Sequence, residues 1–243
     1  DARRPILLVV PVLMVLAPIG LVLRQPDLGT AAMLVIGAGA VFFVSGVAIR
    51  YFLIGGAIAV SAIPIAWQFL RGYQRERILT FLNPEADPLG AGYHILQSKI
   101  ALGSGGLFGR GFMHGTQSHL NFLPEHQTDF IFTMLAEELG LVGALVLLLL
   151  YLFLFAYGFA ISLRSRNHFG RLLGIGLTTT LFLYVFINIA MVTGLIPVVG
   201  IPLPLISYGG TAMMTVLFSL GLLMCIFVHR DERLTRTPGI DAT

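Results

Sequence analysis

The chain has 243 residues, of which 56% are hydrophobic and only 11% charged, and its net charge is +3. A mean hydropathy of +0.89 excludes an ordinary water-soluble domain. So small a net charge, with no basic array interleaved with aromatics, argues against a nucleic-acid partner, and the single cysteine, Cys225, excludes an intrachain disulfide.

The chain opens on Asp1-Ala2-Arg3-Arg4 with neither an initiator Met nor a cleavable signal, and the expectation is the C-terminal part of a longer protein. Crossing a bilayer as helix takes ~20 apolar residues. Runs at 6–23, 29–49, 51–70, 139–163, 171–193 and 208–229 meet that length. An open sheet could not satisfy its backbone in lipid. The predicted class is therefore an all-α polytopic membrane protein of about six transmembrane helices, forming a single transmembrane domain over 1–243. Span one ends at Arg24-Gln25-Pro26, where proline breaks the helix and Asp27 is placed to cap the next.

Between spans three and four lies a long polar loop, 71–128. It holds five of the six cations that fall on its side of the membrane: Arg71, Arg75, Arg77, Lys99 and Arg110. Arg3, Arg4, Arg50, Arg164, Arg166, Arg171, Arg230, Arg233 and Arg236 all fall on the opposite side, which the positive-inside rule makes cytoplasmic. Both termini of the chain are then cytoplasmic and the loop is extracytoplasmic. An external loop that concentrates cations suggests an anionic ligand. Within it, 84–90 is dense in turn formers, and 91–102 reads as an amphipathic helix with Tyr93, Leu96 and Ile100 on its apolar face, Ile95 and Leu102 as further candidates and His94, Gln97 and Ser98 polar, suited to the membrane surface. Gly103, Gly105, Gly106, Gly109 and Gly111 follow, either for close backbone approach or as a flexible lid. Leu123-Pro124-Glu125 reads as a helix start, with the helix running through Asp129 to about Glu138 and bent or ended by Gly140, with Gly143 adding to the break. After span five, 198–204 is a kinked connector, and Ser207 reads as the cap of span six or as a polar group of the site.

The titratable groups point to one candidate centre. Asp129 falls where loop meets bilayer and is either a helix-stabilising acid or a general base that takes a proton from a substrate hydroxyl. Glu125 lies four residues before it and His126 three, so Glu125 and Asp129 share a helix face suited to acid/base work or to a loosely held divalent cation such as Mg2+ or Mn2+. Glu137 and Glu138, at the far end of that helix, oppose its dipole, which suggests another partner such as a loop arginine or the substrate. Lys99, the only lysine, either snorkels to headgroups or holds a phosphate as a point charge. Arg77 serves equally as an interfacial anchor or an anion contact.

Pro26-Asp27-Leu28-Gly29-Thr30, Phe81-Leu82-Asn83-Pro84, Gln97-Ser98, Gly103-Ser104-Gly105-Gly106, Leu123-Pro124-Glu125, Thr128-Asp129-Phe130-Ile131-Phe132, Glu137-Glu138-Leu139-Gly140 and Pro204-Leu205-Ile206-Ser207-Tyr208-Gly209-Gly210 together resemble the SEDS family (shape, elongation, division and sporulation), over about residues 5 to 233. Gly115-Thr116-Gln117-Ser118 and Lys99 in Gln-Ser-Lys-Ile resemble its RodA branch. The resemblance implies a roughly ten-helix fold, cut short here. It also implies a bacterial inner-membrane peptidoglycan glycosyltransferase that polymerises lipid II with inversion for cell elongation and rod shape. The family's catalytic aspartate maps onto Asp129, and a class B penicillin-binding protein is the implied partner. Lys99, Arg77, Glu125, His126, Glu138 and Ser207 are the expected substrate contacts. A lipid II flippase and a scaffold of the elongation machinery are the rival readings.

Overall fold

The computed structural model describes residues 5–25, 27–70, 72–83, 91–112, 114–115 and 127–232. Among them are eight α-helices and no strand: α1 Pro5–Arg24, α2 Leu28–Val44, α3 Ile49–Phe69, α4 Gly72–Leu82, α5 Ala91–Ser104, α6 Ile131–Arg164, α7 His168–Val192 and α8 Gly210–Val228. α6, α7 and α8 are long and apolar enough to cross a membrane, and α1, α2 and α3 are the shorter apolar helices of the same kind. The protein is thus the expected all-α polytopic membrane protein.

α7 is the hub, packing on α2, α6 and α8. Its contact with α6 is made close by small residues. Gly158 and Ser162 on α6 face Thr178 and Gly174 on α7, and a Cβ on Gly158 would sit 2.7 Å from the Thr178 hydroxyl. Both hydroxyls return their hydrogen to their own helix, Ser162 to the Gly158 carbonyl and Thr178 to the Gly174 carbonyl. This is small-residue packing of the kind that lipid, offering no hydrophobic drive between helices, demands. Above it, Leu147, Tyr151, Phe155, Leu181, Val185 and Met191 form the main core. At the opposite end from the loop, the Arg166 amide donates to the Arg230 carbonyl at 2.9 Å, bringing the α6–α7 turn against the end of α8.

α2 begins where the sequence places it: the Asp27 carboxylate accepts from the Thr30 amide at 3.0 Å and the Thr30 hydroxyl at 2.6 Å. α5 also forms, but its buried face is the predicted one only at Ile95. Leu96 and Ile100 are exposed, whereas Ile95, Ser98 and Ala101 are buried. Ser98 accounts for the rotation. Its hydroxyl lies 2.8 Å from that of Thr133 on α6 and donates to the Val192 carbonyl at 2.7 Å, so this face is bound to protein and does not lie on a membrane surface.

α6 carries a break. Gly140 has φ +68 and ψ −166 and divides it into a short half, 131–139, and a spanning half, 141–164. The break leaves backbone groups without helical partners, and the glycine loop satisfies them. Arg110 and Gly111 amides donate to the Glu137 and Glu138 carbonyls at 3.0 Å each, and Leu141 and Val142 amides donate to the Gly106 and Leu107 carbonyls at 2.9 and 3.1 Å. A Cβ on Gly105 would strike the Ala136 carbonyl, and one on Gly109 the Glu138 carbonyl. At Gly105 and Gly109 the structure selects close approach, whereas no described residue lies within 4 Å of a Cβ at Gly103 or Gly106. Gly143, expected to add to the break, lies within the regular helix.

Candidate active site

The segment between α7 and α8, residues 193–209, is irregular and organises the charged groups. Where the chain leaves α7, Gly194 has φ +75, and the Lys99 side chain lies across it, with Nζ 2.8 Å from where a Cβ would stand. Next, Arg77 of α4 donates from Nη1 to the Val198 carbonyl at 3.5 Å. Gly29, at the start of α2, lies against Val199 so closely that a Cβ would strike it. Then comes Gly200, φ +79, where a Cβ would stand 3.2 Å from Oδ2 of Asp129. Lys99, Arg77 and Asp129, far apart in sequence, are thus set out along seven residues of one connector.

Asp129 is not one turn inside a helix. Residues 127–130 form a turn, and α6 takes its first hydrogen bonds from the Phe130 carbonyl, to the amides of Thr133 at 3.0 Å and Met134 at 3.3 Å. The physical reason is that the turn's carbonyls are bound elsewhere. Gln127 accepts from the Tyr208 amide at 2.9 Å, Thr128 from the Ser207 hydroxyl at 2.6 Å, and Asp129 from Nδ2 of Asn188 at 2.9 Å. Asp129 is half-buried and sits just ahead of the positive end of α6.

Ser207 does not cap α8, whose N-cap, Gly209, has no side-chain bond. Its buried hydroxyl instead accepts from the Leu203 amide at 2.7 Å while donating to Thr128, joining connector to turn. Tyr151, deep on α6, donates its hydroxyl to the Pro204 carbonyl. The next residue, Leu205, has φ +67, the sole positive φ outside glycine among the described residues. Backbone held there costs ~1–3 kcal/mol and persists only where its surroundings over-determine it.

Glu138 is half-buried at the helix break, its backbone carbonyl beside Gly109; Glu137 next to it is fully buried. Glu125 and His126 lie outside the described residues. No group of three or more His, Cys, Asp or Glu side chains gathers among the described residues. Beside the connector, a cleft of about 370 Å3 opens between α2, α7 and α8, with Gly200 and Ser207 on its wall. Its other polar lining is hydroxyl only, from Thr30, Thr180, Tyr184, Thr211, Thr215 and Ser219. Asn188 stands out in the sequence only as an isolated polar group near the end of span five, with no role assigned to it. Its signal was present, an amide in an apolar span, but its two backbone partners are invisible in a linear pattern.

These features define a polytopic helical membrane protein whose charged groups converge on an irregular connector at one end of the bundle. The model of a family described as "Cell cycle protein" and comprising FtsW, RodA and SpoVE matches residues 2–232, and the chain belongs to that family. It is 51% identical over 224 residues to the peptidoglycan glycosyltransferase MrdB of Escherichia coli K12, covering 91% of this chain and 60% of that protein. It is 41% identical over 170 residues to the peptidoglycan glycosyltransferase RodA of Treponema pallidum, covering 70% of this chain and 39% of that protein. Among solved structures, it is similar to a chain of a peptidoglycan synthase complex that coordinates polymerization and crosslinking (TM-score 0.77, 36% identity, 92% of this chain and 62% of that one). It is also similar to the rod shape determining protein RodA of Thermus thermophilus (TM-score 0.61, 31% identity, 92% and 56%).

Proposed function

We propose that the protein is a peptidoglycan glycosyltransferase that polymerises lipid II at the outer face of the bacterial cytoplasmic membrane. The observation that carries this reading is the convergence of one carboxylate, Asp129, and two cations, Lys99 and Arg77, on the connector 194–200. Relatives named peptidoglycan glycosyltransferase support it, and the chain spans 60% of the length of the first of them.

The chemistry follows from those three groups. An acceptor sugar's 4-hydroxyl oxygen attacks the anomeric carbon of the donor, and Asp129 takes the hydroxyl proton as that bond forms. The bond from the anomeric carbon to the lipid diphosphate breaks on the opposite face, and its electron pair leaves with the diphosphate. Attack from behind converts the α-linked donor into a β-1,4 bond. A diphosphate is stable as an anion, so it needs no proton donor, and Lys99 and Arg77 offset its charge. A loosely held divalent cation is the alternative source of that positive charge. The loop 71–128 is extracytoplasmic in this reading, both ends of the chain are cytoplasmic, and a class B penicillin-binding protein supplies crosslinking.

The test is lipid II polymerisation by the intact protein in detergent, where no compartments exist to flip between. Wild type forms glycan chains, and Asp129→Asn forms none while keeping its melting temperature; loss of wild-type polymer in EDTA assigns the charge stabilisation to a divalent cation. Full activity in Asp129→Asn removes that carboxylate as the base. A wild-type protein that makes no polymer but moves lipid II across vesicles supports the flippase. One that does neither, yet complements growth with Asp129→Asn, is a scaffold.

A further inference from the structure

Asn188 is fully buried near the end of α7, in a segment otherwise apolar. Its side-chain nitrogen donates to two carbonyls from separate parts of the chain: Asp129, 59 residues away, at 2.9 Å, and Ile201, 13 residues away, at 2.7 Å. Its carbonyl oxygen, also buried, has no hydrogen-bond partner among the described residues. The amide's orientation is therefore set by its donor side alone, since turning it over would face oxygen to two carbonyl oxygens. An amide serving only to fill an apolar span would not leave a buried acceptor unmet, because that arrangement is destabilising. Local rules broken in this way mark sites under functional constraint.

We infer that Asn188 is a positioning residue that sets the location of the Asp129 carboxylate relative to Gly200. Ser207 and Tyr208 hold residues 128 and 127, but both belong to the connector and move with it. Asn188 belongs to α7, the helix packed on three sides, and reaches residue 129 itself while holding the adjoining connector at 201. The Asp129 turn and the Gly200 backbone beside its carboxylate are thereby referenced to the same rigid helix. This inference rests on Asp129 being the general base.

The variants are Asn188→Leu, close in shape but without a donor, and Asn188→Ser, which cannot span both carbonyls. Three quantities are read in the intact protein: melting temperature, amide hydrogen exchange, and kcat and KM for lipid II. The expected result is a fall in kcat of about 10²-fold with KM changed less than about twofold, the size that a misplaced reacting group produces. Exchange accelerates in peptides covering 127–134 and remains slow within α7. Unchanged kcat in both variants overturns the inference. Exchange that accelerates throughout α6, α7 and α8 also overturns it, because Asn188 is then a general stabiliser. If Asp129→Asn proves active, the base assignment fails on that result alone, and the positioning inference falls with it. Local exchange at 127–134 then shows separately whether Asn188 still acts as a tether.

Discussion

Replacing Gly140 by alanine tests whether the broken helix is part of the machinery. At φ +68 and ψ −166, the backbone occupies a region open to glycine and costly to other residues by ~1–3 kcal/mol. A Cβ there would also stand 2.6 Å from the Leu107 carbonyl oxygen and closer still to the Gly109 amide nitrogen. Both are backbone atoms, so relief requires moving the loop. That movement breaks some of the four backbone bonds joining 106–111 to 137–142, each worth ~0.5–1.5 kcal/mol net. Loss of two of them brings the total to roughly 2–6 kcal/mol. The half-helix 131–139, with Asp129 just ahead of it, would lose its support at the distal end. Gly103→Ala is the control, because no described residue lies within 4 Å of a Cβ at that helical position, and alanine there is favoured by up to ~1 kcal/mol. Thermal unfolding in detergent and lipid II polymerisation measure the outcome. Gly140→Ala should melt well below wild type and polymerise poorly, and Gly103→Ala should match or exceed wild type. Equal behaviour of the two variants would refute the reasoning, since it would mean that the glycine loop does not brace the helix break.

Ser207→Ala leaves the buried Leu203 amide and the part-buried Thr128 carbonyl without their partner, at about 1–3 kcal/mol of stability for the buried amide alone; calorimetry measures it, and a loss under 0.5 kcal/mol would contradict the stitching of connector to turn. Lys99→Met keeps the length of the side chain and removes its charge; if Lys99 steadies the leaving diphosphate, kcat falls about 10²-fold with little change in melting temperature, whereas snorkelling to headgroups alone leaves kcat intact.

The spans could be read from sequence because lipid imposes a length and a polarity that few other environments do. The Asp27 cap and the Gly140 break were also legible, since capping and left-handed backbone are local properties of the residues concerned. The buried face of α5 was not. Apolarity identifies the inner face of a helix in water, but beside a bilayer Leu96 and Ile100 gain nothing by turning inward. The hydroxyl-bearing Ser98 and the small Ala101 fit the protein contact better. Asp129 was found, yet assigned to the wrong side of the helix start. The carbonyls of Gln127, Thr128 and Asp129 are taken by Tyr208, Ser207 and Asn188, partners between 59 and 81 residues away. Lys99 over Gly194 is another such pairing, obvious in space and silent in the string.

Those long-range bonds explain why stability and chemistry converge on the connector. Irregular backbone beside a bilayer is tolerated only where its polar groups are satisfied by protein or open to water. Along 193–209, side chains that enter from the spanning helices do part of that work: Asn188 at Ile201, Tyr151 at Pro204, and the connector's own Ser207 at Leu203. A regular helix through the same stretch would need none of them, but it would spend its carbonyls and amides internally. The turn at 127–129 would then lose the Tyr208 amide and the Ser207 hydroxyl that hold it. Breaking the helix between α7 and α8 therefore exposes backbone donors and side-chain anchors at the one level where Asp129 requires them, and the strained Leu205 stands among them. The hydrogen bonds that make the irregular segment stable in a low-dielectric setting also hold the proposed base in place. A substitution that regularised the connector should accordingly disorder the 127–130 turn even where it leaves every spanning helix intact.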